Sequence, residues 1–251
     1  ALSEPGDQVW VAAGSYRAGS SRADTFRLRE EVEIFGGFAG NEDPAAFALS
    51  HRNLSLNETV LEGDIGTAGP VDNVFHIVTA ENVTRTALLD GFTIANGNAS
   101  GLTLMQQDVG GGLFIVNASP TIRHCLIRDT QAGSRGGAVH IAGGSPYFAH
   151  CRFVGNRTTV TQSANNIGGA VYFAGTATSM AAPAFVNCLF VGNRAGVGNG
   201  GSGGAIYGGE HATTTLVSST LLHNRADTLT GGVFGSATIA NSILYGNQDR
   251  N

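Results

Sequence analysis

Nineteen carboxylates, seven histidines, three cysteines and fourteen arginines are the groups of this 251-residue chain able to do chemistry; lysine does not occur. Hydrolysis of a glycoside needs two carboxyl groups about 5–9.5 Å apart. Elimination needs a base, commonly Lys or Arg, facing acids that hold calcium or neutralise a uronate. Between Ala132 and Tyr245 only Glu210 and Asp227 are acidic, and they stand well apart in sequence, on different loops. His211 adjoins Glu210, but neighbours on a strand point to opposite faces, so this couple is poorly placed for acid–base work. His223 lies near Asp227 in sequence. The denser acidic group is N-terminal: Glu58, Glu62, Asp64 and Asp72, with Asp90 about one repeat further on. Glu62 and Asp64 are the candidate calcium ligands there, against a plain role as turn carboxylates. We assign no catalytic residue and require no other cofactor.

Two recurring positions are better placed to bind. His140, Tyr172 and Tyr207 end successive Gly-Gly phrases, with Ile115 expected in the same column before them. Pointing outward, they would make a ladder of flat rings about 4.8 Å apart, on which sugar rings stack. Arg157, Arg194 and Arg225 each follow a recurring Asn. Like charges about 5 Å apart repel by roughly 0.8 kcal/mol even in a water-like dielectric. They therefore need partners: Asp227 for one, or a bound sulfate or carboxylated glycan. Cys125, Cys151 and Cys188 lack the short spacing of a metal-ligand pair and read as a buried column. His124 and His150 stand in a bend column completed by Asn187, Ser218 and Asn241.

These positions are set by a repeat. Gly136-Gly137-Ala138-Val139-His140 returns at Gly168 and Gly203, with a frayed copy beginning at Gly231. Between the copies, Cys151-Arg152-Phe153-Val154-Gly155-Asn156 returns as Cys188 to Asn193, then decays to Ser219–Asn224 and Ser242–Asn247. The terminal Asn thus recurs at Asn156, Asn193, Asn224 and Asn247, at intervals that shorten along the chain. The shortest interval, from Asn224 to Asn247, suffices for one turn of three short strands. The surplus in the longer ones falls in the loop after each Asn, as a solenoid allows. Ile122, Phe148, Phe185, Leu216 and Ile239 align as one apolar column; Ile127, Phe153, Phe190, Leu221 and Leu244 align as another. The Asn column is expected to hydrogen-bond from copy to copy.

The rest of the chain agrees with an all-β class. Strand-like alternation runs through 8–14, 26–29, 32–35, 59–64, 74–78 and 87–94, and residues 41–57 form a long excursion with a short helix near 44–49. We expect one domain over 1–251, less regular over 1–100 and regular over 101–251. The expected fold is a right-handed parallel β-helix, a three-strand solenoid of about eight or nine coils, on the order of 40 Å long at 4.8 Å per coil.

Gly-Gly-Ala-(Val/Ile) alternating with Phe-x-x-Asn resembles the repeat of chlamydial polymorphic outer membrane proteins. More widely it resembles bacterial secreted β-helix proteins of the pectin-lyase-like class. The phrases Val9–Tyr16, Ile34–Gly40, Leu89–Ile94 and Asn241–Asn247 are similar to coils of that group, so the resemblance spans nearly the whole chain. It implies a secreted or cell-surface protein, adhesive or scaffolding, with other surface proteins or polysaccharide as partners and often part of something longer. The class also contains polysaccharide lyases and glycoside hydrolases, so a carbohydrate-active enzyme is the alternative, and a subunit of a larger filament, joined through open coil ends, is a third. The chain opens without an initiator Met or a signal peptide, as a trimmed or partial chain would.

Composition limits the remaining classes. Charged residues make up only 13% and the net charge is −5, which recommends no nucleic-acid partner. No apolar run reaches the roughly 18 residues of a membrane span. Thirty-seven glycines without a strict three-residue period exclude collagen. Six Asn-x-Ser/Thr sequons, at Asn53, Asn57, Asn82, Asn98, Asn117 and Asn156, matter only in a glycosylating cell.

Overall fold

A computed structural model describes residues 3–66, 69–159, 166–196 and 200–249. It is all-β, built from four parallel sheets in the arrangement of a parallel β-solenoid. Sheet I stacks Gln8–Ala12, Glu33–Phe38, Leu88–Asp90, Thr121–Arg123, Tyr147–Ala149, Ala184–Val186, Thr214–Val217 and Ala237–Ala240. Sheet II stacks Gly14–Tyr16, Thr59–Glu62, Thr93–Ala95, Leu126–Arg128, Arg152–Val154, Leu189–Val191, Thr220–Leu222 and Ile243–Tyr245. Sheet III has five two-residue strands: Asn98–Ala99, Gln131–Ala132, Arg157–Thr158, Arg194–Ala195 and Arg225–Ala226. Sheet IV has seven: Phe26–Arg27, Val78–Glu81, Leu113–Val116, Val139–Ala142, Val171–Ala174, Ile206–Gly208 and Val233–Phe234. From Leu88 onward the chain visits the sheets in the order I, II, III, IV and begins again.

The regular turns thus carry four strands where the repeat length led us to expect three. The extra strand is the pair of residues after each column Asn, whose backbone bonds to the turn before it: Arg157 N to Thr130 O at 3.0 Å and Thr159 N to Ala132 O at 2.8 Å. Two bonds are enough for a sheet but leave little periodicity to read. The strand expected at 74–78 instead begins at Val78, because the preceding backbone bonds to loops, Val74 N to Gly63 O and Phe75 N to Arg22 O. The helix expected near 44–49 is a single 3₁₀ turn at Leu49–His51. Residues 160–165 and 197–199, in the loops expected to vary, lie outside the described residues.

Both apolar columns are in register. Ile122 pairs with Phe148, Phe148 with Phe185, Phe185 with Leu216 and Leu216 with Ile239 on sheet I. Ile127, Phe153, Phe190, Leu221 and Leu244 do the same on sheet II. The interior members are fully buried, and Phe153 and Phe190 stack at 4.5 Å with planes 4° apart. Each such side chain contributes about 1.5–3 kcal/mol of apolar burial. The bend between the columns is left-handed at every copy: φ is 48° at His124, 55° at His150, 52° at Asn187, 51° at Ser218 and 50° at Asn241. Cys125, Cys151 and Cys188 follow this bend as free, buried thiols. Burial pushes Cys125 up to about 12 and raises Cys151 as well, whereas a hydrogen bond with Cys151 lowers Cys188.

The Gly-Gly phrase has a steric cause. Its first glycine is left-handed, with φ of 61° at Gly136 and 66° at Gly168 and Gly203. A Cβ on the second would strike the carbonyl of the next copy: Gly169 O from Gly137, Gly204 O from Gly169. Only glycine lets the two turns lie this close.

The column Asn residues form a continuous amide ladder. Asn156 donates through N and Nδ2 to Asn193 Oδ1, both at 3.0 Å, and Asn193 repeats this to Asn224 at 3.0 and 2.8 Å. Asn224 continues it to Asn247 at 3.0 and 2.8 Å. The second Nδ2 hydrogen reaches back to a strand carbonyl, Ile127 O from Asn156 and Phe153 O from Asn193. Thr130 starts the ladder by donating to Asn156 Oδ1. Replacing Asn193 by Ala strands the N–H and amide of buried Asn156 together with the carbonyl of Phe153. Each loss costs about 1–3 kcal/mol, so urea denaturation of Asn193→Ala should show a loss of at least about 3 kcal/mol, against little change for Asn187→Gly in the left-handed bend.

Candidate functional site

The ring ladder exists, but its register differs from expectation. Phe114, not Ile115, pairs with His140, which pairs with Tyr172 and then Tyr207; Ile115 pairs with Ile141 and is buried in the core. The ladder runs His76, Phe114, His140, Tyr172, Tyr207, Phe234, with neighbouring centroids 4.6–5.8 Å apart and planes within 20°. The missed signals are Gly110-Gly111-Gly112-Leu113-Phe114, another copy of the phrase, and a one-residue shift of the frayed copy that brings Val233 beside Ile206 and Phe234 beside Tyr207. The ring faces lie on one another, and only 6% of His140 and 8% of Tyr172 is exposed, whereas Tyr207 is half-buried. The Arg135 guanidinium lies 5.4 Å from the Tyr172 ring centroid, a cation–π contact. Burial, with Arg135 and His76 beside it, pushes His140 down to about 3.

The arginine column also forms. Gln131, Arg157, Arg194 and Arg225 are successive partners along sheet III. Arg194 pairs with the buried carboxylate of Asp227 at 3.1 Å, and Arg157 donates to Gln131 Oε1 at 2.7 Å. Arg157 and Arg225 are exposed. Arg157, Gln131, Asp64 and Asp129 line a shallow cavity of about 310 Å³.

The N-terminal acids are engaged separately. Glu58 accepts from Thr93 Oγ1 at 2.7 Å. Glu62 Oε1 accepts from Asp64 N and Asn96 Nδ2, each at 3.0 Å, and Asp64 accepts from Gly66 N at 3.1 Å. No group of three or more possible metal ligands converges among the described residues. His211 sits in a left-handed turn beside exposed Glu210, and His223 packs edge-on against Tyr245 at 5.9 Å.

The densest polar constellation is one that sequence spacing did not reveal. Residues 41–58 fold back over the outer side of sheet I, where Trp10, Phe38, Phe47 and Phe35 make a second small apolar cluster. The excursion carries Arg52 inward, only 9% exposed, to meet Asp90 at 3.3 Å. Asp90, 1% exposed, also holds Arg123 at 2.9 Å and His124 Nδ1 at 3.0 Å. An ionised carboxylate only accepts, so it fixes the proton on His124 Nδ1 and leaves Nε2 unprotonated in the neutral ring. His150 stacks on His124 at 5.1 Å. In front of them lies a groove of about 350 Å³, whose lining includes Glu58, Thr93, His124, His150 and Arg152. Thus a base oriented by a buried acid, an exposed carboxylate and a guanidinium share one groove. Asp90 and Arg123 are register partners, but Arg52 is remote from Asp90 in sequence and reaches it only through the fold of the excursion.

Two expectations test these assignments. Asp90→Asn leaves buried Arg52 and neighbouring Arg123 without their anion, so chemical denaturation should show a loss of about 3 kcal/mol. His140 is neutral in the fold at pH values where an unfolded histidine, near pH 6.5, takes up a proton. Between about pH 6.5 and pH 3 the unfolded chain binds more protons, so this residue's contribution falls as pH drops, by at most about 1.4 kcal/mol per unit. His76, also lowered by burial, adds in the same direction. Denaturation from pH 7.5 to 4 should therefore show a shallower decline for His140→Phe than for the parent chain.

No family model matches the chain, and neither the curated proteins nor the solved structures compared with it contain a match.

Proposed function

We propose that this chain is a non-enzymatic β-helix protein of an extracellular or cell-surface location. It acts as a scaffold or adhesin that presents its flanks and loops to polysaccharide or to other surface proteins. In this reading the four parallel sheets wind as one right-handed helix of eight or nine coils. The observation that supports it is that the repeated polar and aromatic groups are spent on their own copies. Asn bonds to Asn, ring lies on ring and Phe on Phe from turn to turn. A flank built this way repeats its exposed groups every turn, which offers an extended chain equivalent contacts along its length. Arg157 and Arg225 on sheet III are such groups. The resemblance of the Gly-Gly-Ala and Phe-x-x-Asn phrases to secreted β-helix proteins points the same way.

A second reading, a carbohydrate-active enzyme, is favoured by the Asp90–His124 pair at the groove containing Glu58. Both readings meet one experiment. The purified chain is incubated with a panel of acidic and neutral polysaccharides, and both retention of protein and release of new chain ends are followed. Retention without new ends is the expected result, with Arg157→Ala/Arg225→Ala weakening retention severalfold. New ends that disappear in His124→Ala would replace the scaffold reading by the enzymatic one.

A further inference from the structure

The groove of about 350 Å³ at the Asp90–His124 corner has a lining that changes character from strand to strand. On sheet II, Thr93 pairs with Leu126, and Leu126 with Arg152. The next residues along these strands, Ile94, Ile127 and Phe153, are fully buried. Alternation therefore turns Thr93, Leu126 and Arg152 to the outer side, where all three line the groove. They are set one strand apart, so Thr93 and Arg152 are separated by about 9.6 Å. The excursion adds Glu58 at the first of these positions, where Thr93 Oγ1 donates to its Oε1 at 2.7 Å. Across the strands the lining passes from a carboxylate, by an aliphatic side chain, to a guanidinium.

The charges of this corner narrow what fits. Asp90 is already held by Arg52 and Arg123. Glu58 and Arg152 are exposed, and neither forms an ion pair among the described residues, with the other or with any third group. Both therefore have surface that a ligand can reach. An anion alone would meet Arg152 and leave Glu58 uncompensated, and a cation alone would do the reverse. A ligand carrying both charges answers both. Leu126, between them, decides what joins the charges: a polar linker would lose its hydrogen bonds against an aliphatic side chain, whereas methylenes gain by burial there. Hydrogen bonds of about 2.9 Å at either end take up part of the span, which leaves room for a few methylenes. The groove holds the volume of about a dozen waters, enough for such a molecule.

We propose that this groove binds a zwitterion whose ammonium and carboxylate are joined by a short aliphatic spacer, with the ammonium on Glu58, the spacer along Leu126 and the carboxylate on Arg152. The site occupies the groove of the second reading but requires no turnover, and it is independent of the scaffold reading. The chemistry is met by a free ω-amino acid or by a lysine at the carboxyl terminus of a polypeptide, whose side-chain ammonium and main-chain carboxylate are similarly spaced.

Calorimetric titration of the full chain at pH 7.5 with γ-aminobutyrate, ε-aminocaproate, Nα-acetyl-lysine, glycine, caproate and hexylamine tests the site. Saturable binding of γ-aminobutyrate or ε-aminocaproate is expected. Glycine, which lacks the spacer, and caproate and hexylamine, which lack one charge, should bind at least tenfold more weakly. Nα-acetyl-lysine binding as tightly as ε-aminocaproate assigns the site to terminal lysines; its exclusion assigns the site to free ω-amino acids. Glu58→Gln and Arg152→Gln should each weaken the favoured ligand at least tenfold. Glu58→Gln should leave caproate binding unchanged or tighter, and Arg152→Gln should do the same for hexylamine, a reciprocal pattern that a general loss of structure does not produce. Both side chains are exposed, so the melting temperatures of the two variants without ligand should stay within about 2 °C of the parent chain. Absence of saturable binding by both ω-amino acids, equal binding of glycine or of a singly charged analogue, or binding indifferent to both variants would overturn the proposal.

Discussion

The bond that the rest of this molecule depends on is the hydrogen bond from one turn to the next. Every parallel strand pairs only with the copies before and after it, so no turn is complete alone. At the tight corner after sheet II the backbone cannot pair strand to strand, and the Asn amides continue the contact there. The spacing so imposed decides everything stacked upon it. Phenylalanines fall 4.5–5.0 Å apart in the core, and rings fall 4.6–5.8 Å apart on sheet IV.

That constraint also explains why groups with chemical potential are so often occupied. A column of identical charges repels at this spacing, and the fold answers by alternating what stands beside each arginine: Gln131 beside Arg157, Asp227 beside Arg194. A column of rings buries its own faces. Groups of differing chemistry are brought together where the repeat is interrupted. Residues 41–58 bring Arg52 and Glu58 to the Asp90–His124 corner, and the segment from Thr103 to Asp108 walls a crevice at His140. Binding chemistry in such a fold belongs to insertions, with the repeat as the wall against which they close.

Much of the scaffold was legible because its causes are local and recur. Glycine at a left-handed position and asparagine at a corner leave the same residue in the same place at each copy. Two alternating apolar columns separated by a bend could be aligned from the repeat alone. The two-residue strands of sheet III could not, since two residues have no period. The ladder position of Phe114 was misassigned to Ile115 because both are apolar; the choice depends on which side of the strand faces the core. A slip of one residue exchanges the faces.

The sequence by itself determined the repeat, the all-β parallel class and the residues that fill the columns, because each follows from steric and hydrogen-bonding demands met within one turn and its neighbour. Only the tertiary structure decided that Arg52 neutralises Asp90 from a distant part of the chain, that Asp90 orients His124, and that His140 and Arg135 each keep a buried polar atom with no hydrogen-bond partner among the described residues. These depend on how irregular segments fold across a regular wall. Long-range closure of that kind has no periodic trace in the chain, since the distance between partners is set by loop paths and not by the repeat.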